Sequence, residues 1–224
     1  MAMTLAFDVY GTLFDTRSII GALAREGIDG PADLAHLWRQ KQLEFAFRRG
    51  LMRMYMPFDA CIRDALKFSC YTRGLDLDDD RVEALCEQYR RLDKYEDVDA
   101  ALKALAASGY RLVVLSNGTP DDLAILLDHG GIRHYFEQIL SVDAVKSYKP
   151  NPEVYELLLR ETGSRPSETW MISGNSFDFI GALNHDLNAA YIRRGPDFDS
   201  DFWEMTPTLT LDQLTELINL LPNR

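Results

Sequence analysis

FDVYGTLFD, residues 7–15, is the stretch from which the rest of the chain can be read. A short apolar run ends in Asp8, and Gly11-Thr12 then breaks the extended pattern. A continuous apolar run closed by a turn signal is the signature of a strand buried on both faces, as in a parallel sheet. A buried strand is therefore expected over residues 4–9. In open α/β sheets, ligands bind outside the carboxyl ends of the strands, which places Asp8 where chemistry is expected.

Working outward, residues 16–95 contain no strong strand pattern. Helices are expected from Ser18 to Arg25, Leu34 to Arg49, Phe58 to Tyr71 and Asp79 to Leu92, with Asp79 or Asp80 as N-cap of the last. Beyond residue 96 strand and helix alternate. A helix from Asp97 to Ala107 stops at Gly109, and RLVVLSN (111–117) reads as a buried strand. Thr119-Pro120 opens a helix to His129. A strand from Gln138 to Val142, a helix from Pro152 to Glu161 and a strand from Thr169 to Ser173 follow. A helix to about His185, a strand from Ala189 to Arg193, a short strand near Thr208 and a helix from Leu211 to Leu221 complete the pattern. Such alternation implies a mainly parallel sheet covered on both faces. The expected division is an α/β core of residues 1–15 and 96–224, with an inserted helical cap of residues 16–95. The acidic stretch at 196–204 reads as a surface loop.

Composition narrows the function. The chain has 224 residues, 46% hydrophobic and 26% charged, with a net charge of -11. That charge argues against nucleic acid and anionic membrane surfaces as partners. Any site for a small anion must concentrate positive charge locally. No run approaches the ~18 apolar residues of a membrane span, and the first residues lack the basic region of a signal peptide. Cys61, Cys70 and Cys86 are odd in number and form no CxxC pair, so a reducing cytoplasm is expected. His36, His129, His134 and His185 show no ligand or triad spacing.

Four strands are expected to end in polar residues: Asp8; Ser116-Asn117; a loop carrying Lys146 and Lys149-Pro150; and Ser173-Gly174-Asn175-Ser176-Phe177-Asp178. These segments resemble, in order, the four motifs of the haloacid dehalogenase superfamily. YGTLFD, LWRQKQLEF, SNGTP, SVDAVKSYKPNPEVY and GNSFD resemble its L-2-haloacid dehalogenase branch in particular. The resemblance implies a Rossmann-like core, a helical cap and a homodimer.

Phosphatases of this superfamily carry D-x-D on the first strand, the second aspartate protonating the leaving alkoxide. Here the segment is Asp8-Val9-Tyr10. A phenol of unperturbed pKa ~10 is a poor acid for that task, whereas a halide leaves without a proton. Phosphatases also bind magnesium through carboxylates, and Asn175 stands where one would be expected. Hard magnesium prefers charged oxygen ligands. The resemblance therefore implies metal-free, cofactor-free hydrolysis of (S)-2-haloacids to (R)-2-hydroxyacids. A magnesium-dependent phosphatase is the alternative, and a non-catalytic binding protein a more distant one.

The resemblance also implies roles. Asp8 attacks C2 and forms an ester. Lys149 keeps Asp8 ionised, Thr12 hydrogen-bonds it, and Ser173, Asn175 and Asp178 orient Lys149 and the hydrolytic water. Arg39 receives the halide with Asn117. Ser116 and the backbone N–H groups near Tyr10 and Gly11 hold the substrate carboxylate, while Tyr155 positions neighbouring groups. Leu43, Phe58 and Phe177 wall the alkyl pocket, Phe177 replacing a Trp frequent in the branch. Gly174 replaces a serine common there.

Overall fold

The computed structural model describes residues 3–195 and 204–221. Its six strands form one sheet in which every pairing is parallel: β1 (Thr4–Phe7), β2 (Arg111–Ser116), β3 (Gln138–Ser141), β4 (Thr169–Ser173), β5 (Asn188–Ile192) and β6 (Leu209–Leu211). The spatial order is β3-β2-β1-β4-β5-β6. β1 is central, and its Leu5, Ala6 and Phe7 are wholly buried. Burial of each large side chain contributes about 1.5–3 kcal/mol, so the strand that carries Asp8 is firmly held. The order reverses between β1 and β4. A crevice therefore opens at their carboxyl ends, the position at which such sheets bind ligands.

The strand expected over residues 4–9 ends at Phe7. The Val9 carbonyl accepts the N–H groups of Thr12, Leu13 and Phe14, and this tight turn follows directly on the last ladder bond, from Asp8 N–H to the Ile172 carbonyl of β4 at 3.0 Å. Four helices lie between β1 and the helix that precedes β2: α1 (Ile20–Arg25), α2 (Pro31–Leu51), α3 (Phe58–Thr72) and α4 (Asp79–Gln88). α2 packs against α3, and the buried Trp38 indole donates to the Ile62 carbonyl at 2.8 Å. Where the chain leaves for this segment and returns from it, it is stitched to itself. Asp15 N–H meets the Asp93 carbonyl at 2.8 Å, and Tyr95 N–H the Leu13 carbonyl at 3.0 Å. Further bonds reach later elements: Arg90 pairs with Asp122 at 2.7 Å, and Tyr55 donates to Asp143 at 2.9 Å.

α5 (Val98–Ala107) packs on β2, α6 (Pro120–His129) on β3, and α8 (Ser176–Leu183) on β4 and β5; α7 (Pro152–Thr162) follows β3. Several expected boundaries move. The first helix opens with a 3-10 turn from Thr16, capped by Asp15. The N-cap of α4 is Asp78, whose carboxylate accepts from Arg81 N–H, and not Asp79 or Asp80; a 3-10 turn takes the helix on to Arg91. The helix expected from Leu211 to Leu221 is displaced, because Leu211 pairs with Ile192 in the sheet. A turn closed by a Gln213–Glu216 capping box then leads to the short α9 (Leu217–Leu220). Apart from Glu204, the acidic stretch at 196–204 lies outside the described residues.

Candidate active site

The turn after β1 aims Asp8 into the crevice, where only 5% of the residue is exposed. Three donors converge on its carboxylate. Lys149 Nζ lies 3.1 Å from Oδ1, while Thr12 Oγ1 at 2.7 Å and Asn175 Nδ2 at 2.8 Å both donate to Oδ2. Charge-assisted bonds of this kind are short and strong, and three of them fix the orientation of the carboxylate. Thr12 is fixed in turn, since its hydroxyl accepts the Gly174 N–H at 2.8 Å. That contact brings the β1 and β4 loops so close that a Cβ on Gly174 would overlap the Gly11 carbonyl. The glycine of the SGN sequence therefore serves a close approach of two loops.

Lys149, 1% exposed, sits between two carboxylates. Its ammonium donates to Asp178 Oδ2 at 2.7 Å as well as to Asp8. Burial, with the Asp8 charge in support, pushes the Asp178 carboxyl up to about 6, against the lowering influence of Lys149. The Tyr155 hydroxyl donates to Asp178 Oδ1 at 2.9 Å. Burial and the Asp178 charge hold that phenol far above its usual range, so it remains a donor. Gly181 makes this possible, because a Cβ there would strike the Tyr155 ring.

The remaining expected residues divide into those that touch this cluster and those that support it. Asn117 Oδ1 accepts the Lys149 backbone N–H at 3.0 Å, which ties the β2 end to the lysine loop. Ser173 Oγ accepts Asn175 N–H at 3.1 Å and shows no bond to Lys149. Ser116 Oγ accepts Gly118 N–H at 3.2 Å. The Gly11 N–H is taken by the Phe14 carbonyl at 2.8 Å, so it is not available for a substrate carboxylate. Tyr10 presents its carbonyl to the site, accepting from Asn175 Nδ2 at 3.0 Å. Its ring packs away from Asp8, on Phe58 and Tyr89. Burial and nearby Asp122 raise that phenol well beyond its ordinary value, which removes it as an acid.

Arg39 reaches down from α2. Its Nη2 lies 3.3 Å from the Tyr10 carbonyl and 3.5 Å from Asn175 Oδ1, and Nη1 lies 3.4 Å from Gln42 Oε1. All three acceptors are neutral and the bonds are long. No carboxylate among the described residues pairs with this guanidinium. A half-buried, uncompensated guanidinium is an anion site in waiting. The three expected pocket walls do not meet around one cavity. Leu43 lines a cavity beside Arg39, Phe58 packs between Tyr10 and Tyr148, and Phe177 packs edge-on to Phe47.

Sequence reasoning missed Arg194. This buried residue donates from Nε to the Thr12 carbonyl at 2.9 Å and from Nη1 to both oxygens of Asp97, at 2.9 and 2.8 Å. It braces the turn that holds Asp8. Its partners lie 182 and 97 residues away, beyond the reach of any local pattern.

The arrangement does not fit a magnesium ion. The space between Asp8 and Asp178 is spanned by an ammonium, and Asn175 turns an N–H donor toward Asp8. Among the described residues no group of three or more His, Cys, Asp or Glu side chains converges to hold a metal. What the cluster can do is hold one buried carboxylate in place near a guanidinium that, among the described residues, has only neutral partners, a pairing suited to displacing an anionic leaving group.

Comparison with known proteins leads the same way. The family model for a haloacid dehalogenase-like hydrolase matches residues 2–186. The (S)-2-haloacid dehalogenase of Pseudomonas sp. (strain YL) is 36% identical over 217 residues, covering 95% of this chain and 94% of that protein. Haloacetate dehalogenase H-2 of Moraxella sp. (strain B) is 35% identical over 97% and 96% of the two chains. Among solved structures, the L-2-haloacid dehalogenase from Xanthobacter autotrophicus with chloropropionic acid covalently bound superposes with a TM-score of 0.91 at 30% identity, covering 98% of each chain. On the strength of its sheet order, the Asp8–Lys149 pair and these matches, the chain belongs to the haloacid dehalogenase-like hydrolase family.

Proposed function

We propose that the protein hydrolyses (S)-2-haloacids to (R)-2-hydroxyacids through an ester on Asp8, without metal. The observation that carries the reading is one carboxylate, held by three donors, beside a guanidinium with no carboxylate partner among the described residues. An Asp8 oxygen attacks C2 in line with the carbon–halogen bond, and the halide leaves with the bonding pair toward Arg39. Leu43, in the cavity beside Arg39, lies against the rest of the substrate, with Asn117 and Ser116 at the end of the neighbouring strand. Water then attacks Cγ of Asp8, and the bond from Cγ to the oxygen joined to C2 breaks. Lys149 stabilises the oxyanion formed on Cγ, and Asp178, held by Tyr155, takes one proton from water and returns it to the departing alkoxide, which becomes the hydroxyl of the product; the second water proton is released to solvent as Asp8 is restored to a carboxylate. C2 is inverted once. The handedness assigned to the substrate follows the names of the relatives.

We further assign residues 16–95 to a cap, the enzyme to the cytoplasm, and its working form to a homodimer. All three cysteines are free thiols, which suits a reducing compartment. Leu51, Met52, Met54 and Tyr71 are 57–89% exposed, and a second copy would cover such a rim. Light scattering at micromolar concentration should return twice the chain mass; a monomer would sink that assignment alone.

The activity is tested by incubating the protein with (S)-2-chloropropionate in excess EDTA and measuring chloride. Release is expected, and none would refute the reading. After many turnovers in heavy-oxygen water, the peptide containing Asp8 should carry label. Label in the product alone would mean direct attack of water on C2.

A further inference from the structure

A cavity of about 310 Å³ opens to the surface beside α2 and ends at the catalytic cluster. Its floor is Gly11, Arg39 and Asn175, and Asn175 is itself hydrogen-bonded to Asp8. Thr16, Ile20, Ala35 and Leu43 form walls of small or apolar surface. Arg17, Ala32, His36 and Gln40 stand exposed at the mouth.

The charge of this cavity sets it apart. The chain holds 35 acidic residues against 24 basic ones. Yet no Asp or Glu lines the cavity among the described residues, while two arginines do. Four other depressions on the described surface each include at least one aspartate. At the mouth, Arg17 is partly offset by Asp15, 2.9 Å from its Nε. At the floor, no carboxylate among the described residues pairs with Arg39, whose partners are Gln42, the Tyr10 carbonyl and Asn175. An anion moving inward therefore leaves an acidic surface and meets steadily less compensated positive charge. Clefts lined by one sign of charge raise the local concentration of oppositely charged ligands and their on-rates.

We infer that this cavity is the approach corridor for the anionic substrate and the way out for halide, with Arg17 supplying positive potential at its mouth and the neutral Gln40 leaving that potential uncancelled. The inference rests on the proposed dehalogenase activity. It assigns to these two residues a role in capture rather than in bond breaking. Neither touches Asp8, Lys149 or Asn175 in any hydrogen bond or ion pair of the structure.

A charge series at one exposed helix position tests it. Gln40→Lys, wild type and Gln40→Glu should fall in that order of kcat/KM for 2-chloropropionate at low ionic strength. Each step should be about two- to fivefold, carried by KM, with kcat unchanged. Arg17→Gln should behave as Gln40→Glu does. Raising the salt to about 0.5 M should collapse the series, since screening then acts over a few ångströms. Equal kcat/KM across the series, with wild type active, overturns the corridor and leaves the activity standing. A series that keeps its spread in high salt also overturns it, because the effect would then be local packing. No turnover by wild type sinks the dehalogenase reading, and the corridor falls with it.

Discussion

The most discriminating substitution is Asn175→Asp, which changes a single donor into an acceptor beside Asp8. In the native site Asn175 Nδ2 donates to Asp8 Oδ2 at 2.8 Å. Losing a hydrogen bond to a charged group costs about 1.5–3 kcal/mol, or roughly 10- to 150-fold in rate if the bond persists in the transition state. The new carboxylate adds repulsion. At 2.8 Å and an effective dielectric constant of about 20, two unit charges repel by roughly 6 kcal/mol before the side chains move. The pair relieves this by sharing a proton, which removes the nucleophile. Arg39 is affected too, because its Nη2 lies 3.5 Å from Asn175 Oδ1 and would gain a counter-ion there. The expected fall in kcat/KM at pH 7.5 is about 10²- to 10³-fold. Asn175→Ala removes the donor alone and should lose only the smaller factor. Chloride release should be followed from pH 6 to 10, with a thermal melt of each variant to exclude unfolding. Raising the pH should recover part of the Asp variant's activity and none of the Ala variant's. Activity of Asn175→Asp within threefold of wild type at pH 7.5 would refute this account of how Asp8 is held.

Two further outcomes follow from particular contacts. Because burial raises Asp178 to about 6, dehalogenase activity should fall on the acid side with a midpoint near pH 6. The native state then binds this proton more tightly than the unfolded chain between about pH 4 and 6, so this group's contribution to stability grows as activity falls; melts showing no such component in wild type relative to Asp178→Asn would contradict it. Gly174→Ser should destabilise the fold by about 1–3 kcal/mol, since its Cβ would meet the Gly11 carbonyl and lie 3.1 Å from Arg194 Cγ. Urea unfolding measures that loss, and an unchanged midpoint would mean that the two loops yield freely.

Much of this fold is legible because its signals are local. A buried strand announces itself by four to six apolar residues, and Pro120 and Pro152 mark helix starts within a residue. The four polar strand ends were visible for the same reason, and with them Asp8, Lys149 and Asp178. Partnerships were harder. Asn117 is expected to share the halide, and its second partnership, Oδ1 accepting the lysine loop's backbone N–H, is one that no local pattern announces. Tyr10 contributes its carbonyl and not its ring. The C-terminal helix was overestimated because Leu211 suits a helix and an edge strand equally, and only the register with Ile192 decides between them. In each case the deciding contact joins residues far apart in the chain, where periodicity is silent.

The ammonium wedged between Asp8 and Asp178 also sets an order of events. At rest the trio carries one surplus negative charge, shared across a single cation. On the proposed pathway esterification erases the charge on Asp8, and the trio becomes neutral. Lys149 then belongs to Asp178 alone until water adds to the ester. As Asp178 takes up the proton and negative charge appears on Cγ's oxygen, the same cation turns back toward the position it guarded at the start. One side chain thus serves two anions in alternation, and the chemistry advances by handing it from one to the other.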